Sequence, residues 1–170
     1  QIIGYNAFIK TAISEIFIPS HVKVIDNGAF NECCFLEKIE FAEDSELELI
    51  DDYSFTRCSN LESIEIPSHV KKIGCFALSE CELLNKVIFK ENSEIELLYE
   101  SSFAYLLIGY ILIPKSLKII SKYAFHQCNV LKKIEFEKDS QLELIDDFAF
   151  AQTKLEEITI PKHVKKIGKS

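Results

Sequence analysis

The sequence predicts an α/β solenoid, with one short parallel strand in each repeat of 23–25 residues and a short helical or 3-10 turn returning the chain on the far side. Three observations point there. A run of the form L-x-x-I-x-I occurs seven times, beginning at Ile13, Leu36, Leu61, Leu84, Ile108, Leu131 and Leu155, at spacings of 23, 25, 23, 24, 23 and 24 residues. A second motif, I-x-x-x-A/S-F, precedes the first run and follows every run, beginning at Ile3, Ile25, Ile50, Ile73, Leu98, Ile120 and Ile145, with Ile167 opening a copy cut short. All four prolines, Pro19, Pro67, Pro114 and Pro161, fall in one column, 48, 47 and 47 residues apart.

Each element follows from its residues. The Ile-x-Ile run alternates apolar and polar positions with period two, as a strand with one buried face does. Proline at its end withdraws a ladder donor where the strand should stop. The A-F segment then returns the chain through the expected helical or 3-10 turn, its Phe pointing inward. The true period is a pair of repeats. One closes its strand with Ile-Pro, and seven residues separate Ile66 from Ile73; the other closes with Phe, and nine separate Phe41 from Ile50. A single unit is too small to bury its own apolar edge, whereas stacked units share a continuous core. We therefore expect one solenoid over residues 1–170, of about seven repeats. Lacking Met and ending inside a repeat, the chain is expected to be a length cut from a longer array.

Composition agrees with a packed domain: 48% of residues are apolar and 27% charged. Nine of the 13 Phe lie in two repeat columns, Phe8, Phe30, Phe55, Phe103, Phe125 and Phe150 in one and Phe41, Phe89 and Phe136 in the other, so Phe enrichment is architecture. A net charge of −8 argues against a nucleic-acid backbone or an anionic membrane as partner. No stretch approaches the roughly 18 apolar residues of a membrane span.

The pattern resembles the BspA-like branch of the leucine-rich repeat proteins, whose unit is close to C-x-x-L-x-x-I-x-I-P-x-x-V-x-x-I-G-x-x-A-F. Residues Cys58, Leu61, Ile64, Ile66, Pro67, Val70, Ile73 and Gly74 reproduce it in register. Alternation with the unit F-x-x-x-S-x-L-x-x-I is similar to versions expanded in trichomonad-like parasites. The resemblance implies a cell-surface or secreted protein with adhesin-like binding of host or microbial partners, such as extracellular matrix or plasma proteins. The alternative is a cytoplasmic scaffold.

No residue set announces chemistry. Cys33, Cys58, Cys81 and Cys128 share one column with Thr11, Leu106 and Thr153, a small and mostly buried packing position that we read as free thiols. Cys34 and Cys75 lie off it and are expected to be more exposed. The absence of a C-x-x-C pair argues against zinc. His21, His69 and His163 form a second column, read as solvated turn residues. His126 and Cys128 lack a third orienting group, so an enzyme is not expected. Acidic turns at Glu43–Glu46, Glu91–Glu94 and Lys138–Gln141 lack the glycine-bearing grammar of calcium loops and read as solvated turns. No cofactor or metal is expected, and no N-x-S/T glycan acceptor occurs.

A binding face is expected from the strands themselves. The third and fifth places of L-x-x-I-x-I point away from the core. Most carry charges of mixed sign, but the middle of the array shows Ile88, Tyr110 and Leu112 on adjacent rungs, rimmed by Glu65, Lys86, Lys133 and Glu135. An apolar centre with a charged rim is how recognition patches for a protein or glycan ligand are built. Simple surface variation and self-association through uncapped ends are the competing readings.

Overall fold

The structure, a computed structural model, describes residues 1–169. It is a parallel solenoid of about seven turns, and each turn but the last carries two strands rather than the expected one. In chain order the first seven are β1 (Ile2–Ile3), β2 (Glu15–Ile18), β3 (Val24–Ile25), β4 (Lys38–Phe41), β5 (Leu49–Ile50), β6 (Ser63–Ile66) and β7 (Lys72–Ile73). The rest are β8 (Lys86–Phe89), β9 (Leu97–Leu98), β10 (Tyr110–Ile113), β11 (Ile119–Ile120), β12 (Lys133–Phe136), β13 (Leu144–Ile145) and β14 (Lys166–Ile167). The two-residue strands form one continuous sheet in the order β1-β3-β5-β7-β9-β11-β13-β14. They hold the first Ile or Leu of each I-x-x-x-A/S-F motif, so that motif begins in a strand.

The four-residue strands are the L-x-x-I-x-I runs, and they pair only two by two: β2 with β4, β6 with β8, β10 with β12. Proline explains the interruption. Within a pair, the residue after the Phe-closed strand donates its N–H back to the last carbonyl of the preceding strand, as Ala42 does to Ile18 at 3.0 Å, Lys90 to Ile66 at 3.0 Å and Glu137 to Ile113 at 2.9 Å. In the next rung that position is Pro67, Pro114 or Pro161, which has no N–H to give to Phe41, Phe89 or Phe136. The ladder therefore opens after every Phe rung. Grooves lie at two of these openings, one of about 400 Å³ lined by Phe17, Lys38, Glu40, Ser63, Glu65 and Lys90, the other of about 680 Å³ between β12 and residues 157–162. The seventh run, Leu155 to Ile160, closes with Ile-Pro like β2, β6 and β10, and with no Phe-closed run after it within residues 1–169 it forms no strand.

The expected helical or 3-10 turns are absent; among the described residues there is no helix of any kind. The reason is an alternation in the backbone. Asn6, Gly28, Tyr53, Phe76, Ser101, Tyr123 and Phe148, one per turn, all have φ between 51° and 65°. Four residues further on, Lys10, Glu32, Arg57, Glu80, Tyr105, Gln127 and Gln152 have φ between 55° and 66°. A helix cannot continue through left-handed residues. Alternate amides instead point along the solenoid: Tyr53, Phe55 and Arg57 donate to Cys75, Ala77 and Ser79 of the next turn at 2.9, 2.8 and 3.0 Å. Between them, Ser54 and Thr56 close local bonds to Asp51 and Tyr53 at 3.3 and 3.2 Å. Backbone polar groups are thus satisfied without regular secondary structure.

The core is a stack of columns. Phe30, Phe55, Phe103 and Phe125 are fully buried. Phe8, Phe30 and Phe55 stack with centroids 5.1 Å apart and planes within 3°, inside the range of favourable offset pairs. Leu78 takes the column's place in one turn and is equally buried. The cysteine column is buried too, and all six cysteines are free thiols. Each column thiol donates to the carbonyl of a Phe in the turn before: Cys33 to Phe8 at 2.9 Å, Cys58 to Phe30 at 3.3 Å, Cys81 to Phe55 at 3.1 Å and Cys128 to Phe103 at 3.1 Å.

Two sequence features acquire structural causes. The aspartate pairs Asp51-Asp52 and Asp146-Asp147 bind backbone: Asp52 and Asp147 accept from the amides of Cys75 and Lys169 at 2.6 and 2.8 Å. This draws the next turn so close that a Cβ on Gly74 would sit 2.4 Å from the Asp52 nitrogen, which is why glycine stands there. In the acidic turns Ser45, Ser93 and Ser140 each accept, through Oγ, the amide two residues on at 3.3 Å. That is a serine turn.

Candidate functional site

The long strands present the expected face. In β10, Ile111 and Ile113 are buried while Tyr110 and Leu112 are 47% and 41% exposed. In β8, Val87 is buried, Lys86 exposed and Ile88 half-buried. Register places Glu65 opposite Ile88 and Leu112 opposite Glu135, with Tyr110 opposite Lys133. β8 and β10 are successive long strands with no ladder between them, so Ile88 and Leu112 flank the same opening. The seven expected residues therefore occupy four consecutive long strands, β6 to β12.

One side of the rim is bonded and the other is not. Glu135 accepts from the Tyr110 hydroxyl at 2.8 Å and pairs with Lys133 Nζ at 2.5 Å. Those bonds, Lys133 first and Tyr110 second, hold the Glu135 carboxyl below the ordinary carboxylate range. The same contact with Glu135 raises the Tyr110 phenol and the Lys133 ammonium. Tyr110 is thus tethered with its ring lying across the sheet, a pre-ordered aromatic surface that loses little entropy on contact. Glu65 and Lys86 form no ion pair among the described residues.

The structure adds a neighbouring column that strand periodicity did not indicate. The residue just before the motif's first Leu or Ile is Leu83, Leu107 and Val130 in three successive turns, and these are 47%, 40% and 39% exposed. They enter the same three turns as Ile88, Tyr110, Leu112 and Glu135, widening the apolar area toward one edge of the sheet. The signal was present in the sequence: the second x of C-x-x-L is Asn60 and Lys154 in the flanking turns but aliphatic in the middle.

Other candidate residues remain apart. His21, His69 and His163 are exposed, and His69 bonds Glu94 at 2.9 Å. No group of three His, Cys, Asp or Glu able to hold a metal occurs among the described residues. No helix is long and apolar enough to cross a membrane. Cys34 is exposed and Cys75 partly so.

A solenoid with a sheet face, a stacked Phe core and a proline column defines a class of repeat scaffold. The chain belongs to the BspA-type leucine-rich repeat family: six copies of the family repeat match, over residues 1–97 and 48–170. Among solved structures it is similar to a leucine-rich repeat protein from Bacteroides ovatus, at 30% identity and a TM-score of 0.71, covering 98% of this chain and 48% of that one. It is similar in fold to the T. pallidum leucine-rich repeat protein, at 23% identity and a TM-score of 0.73, covering 79% and 62%. The pneumococcal vaccine antigen PcpA shares the fold at 24% identity and a TM-score of 0.60, covering 91% and 58%. The chain therefore spans between about half and five-eighths of the length of these structures. No curated protein matches it.

Proposed function

We propose that this chain is a non-enzymatic protein-interaction module of a cell-surface or secreted protein. It binds a protein or glycan ligand, of the kind found among matrix and plasma proteins, through the strand face in an adhesin-like manner. The observation that supports this most is the exposed apolar group Ile88, Tyr110 and Leu112 with its charged rim of Glu65, Lys86, Lys133 and Glu135, set on rigid sheet and extended by Leu83, Leu107 and Val130. Large exposed side chains on ordered backbone, rimmed by charge, are favourable anchors. Six free thiols favour a second reading, an intracellular scaffold in a reducing compartment.

The test is capture of matrix and plasma proteins by the wild type and by the double variant Ile88→Asp with Leu112→Asp. Binding should fall at least tenfold while the far-UV spectrum stays unchanged. Unchanged affinity in the folded variant would remove the patch from consideration. Surface labelling of intact cells separates the two locations.

A further inference from the structure

The turn side carries a second surface, far in sequence register from the strand face and unused by it. The left-handed column reads Tyr53, Phe76, Ser101, Tyr123 and Phe148 in successive turns. Where two aromatic residues follow one another the rings stack: Tyr53 on Phe76 with centroids 5.3 Å apart and planes within 4°, and Tyr123 on Phe148 at 5.3 Å and 12°. Ser101 interrupts the stack and leaves one ring missing. Phe76 and Tyr123 are two turns apart, roughly 10 Å at the backbone. One ring between them would make two offset contacts, each within the roughly 4.5–7 Å centroid range of favourable aromatic pairs.

Ser101 itself is buried, and its turn borders a groove of about 880 Å³ lined in part by Phe76, Ser101, Tyr105, Tyr123, His126 and Phe148. Its wall is aromatic and organised. His126 meets Tyr105 and Tyr123 edge-on at 5.8 and 5.3 Å. Nδ1 of His126 lies buried there with no hydrogen-bond partner, a cost that an incoming N–H donor would offset. With Phe148 on one face of Tyr123, the Lys122 ammonium stands 5.0 Å from the ring centroid over the other. No second ring stacks on Tyr123 opposite Phe148, nor on Phe76 opposite Tyr53, among the described residues.

We propose that the Ser101 gap is a binding slot for one aromatic side chain of a protein partner, which completes the column between Phe76 and Tyr123 and displaces Lys122. The ring wall selects a flat π surface, and the left-handed backbone holds Phe76 and Tyr123 in place before the partner arrives. This site is separate from the strand face and stands or falls independently of it.

The chain contains no Trp, so indole fluorescence of N-acetyl-tryptophanamide reports binding without background. The wild type should bind this probe saturably, and N-acetyl-phenylalaninamide should compete for it at least tenfold more strongly than N-acetyl-cyclohexylalaninamide, which has the same ring size but no π face. Ser101→Phe should fill the slot, because Phe76 and Phe148 already show that Phe fits this backbone, and should abolish probe binding with the melting temperature unchanged or raised. Tyr123→Ala and Phe76→Ala, each checked by far-UV spectrum, should weaken binding at least fivefold whether or not Ser101→Phe folds. Absence of saturable binding to the wild type would overturn the proposal. So would equal competition by the cyclohexyl compound, or undiminished binding by the Ala variants.

Discussion

At the scale of the residue, the cysteine column shows how a reactive group becomes packing. Burial pushes the Cys128 thiol up to about 12. Cys58 is driven up by its contact with Cys81 and by burial. An unfolded thiol titrates near pH 8.5. Below that, folded and unfolded chains are both protonated and the thiols' contribution is intact; above it the unfolded chain alone gains thiolate, so stability is lost progressively toward pH 12. For Cys128 the loss amounts to about 1.4 kcal/mol per pH unit above the unfolded value. The urea midpoint should therefore fall between pH 7.5 and pH 10, and the fall should be smaller in Cys128→Ser, which keeps a donor for the Phe103 carbonyl. The same fall in both proteins would assign it to other groups. Gly74 makes a complementary point: its need for glycine comes from the peptide of Asp52 in the neighbouring turn and not from its own φ.

At the scale of the element, what could be read from the sequence was whatever has a period. The long strands follow from Ile-x-Ile alternation, and Phe30, Phe55 and Phe103 from the A/S-F column. The second ladder was not legible, because a two-residue strand such as Leu49–Ile50 has no alternation to detect. Nor was the left-handed column, since Tyr53, Phe76 and Phe148 are residues that ordinarily avoid that conformation; only the bonds to the next turn make them adopt it. At the candidate site, Ile88, Tyr110 and Leu112 were visible as outward places in a strand. Leu83, Leu107 and Val130 precede the strand, where outwardness cannot be inferred from period two. The Phe column itself can be measured. Phe55→Ala should cost about 3–5 kcal/mol in urea unfolding, the range for a buried aromatic replaced by a cavity. Phe55→Leu should cost only about 1–2, because Leu78 already fills the same column. Equal costs would mean that ring stacking, rather than volume, holds the column.

At the scale of the whole molecule, each turn touches only its neighbours, so protection against unfolding is set locally along the axis. The two ladders reach different lengths. The short-strand sheet runs through to β14, where Gly168 donates to Ile145 at 2.7 Å and Lys165 to Glu143 at 2.8 Å. The long-strand ladder stops at β12, and the amides of Ile158 and Ile160 make no backbone bond among the described residues. These two side chains are 36% and 38% exposed, whereas Ile64 and Ile66 in β6 are buried. Ile-Pro strands pair only with the Phe-closed strand that follows them, and none follows this run within residues 1–169, so the seventh turn is fastened on one side only. Hydrogen exchange should find the amides of Ile158 and Ile160 unprotected, Gly168 intermediate and Ile66 the slowest of the four. Equal protection at Ile160 and Gly168 would show that the turn opens as a unit and that the missing ladder bonds do not govern its motion. A graded result would mean that each ladder protects only its own side of a turn.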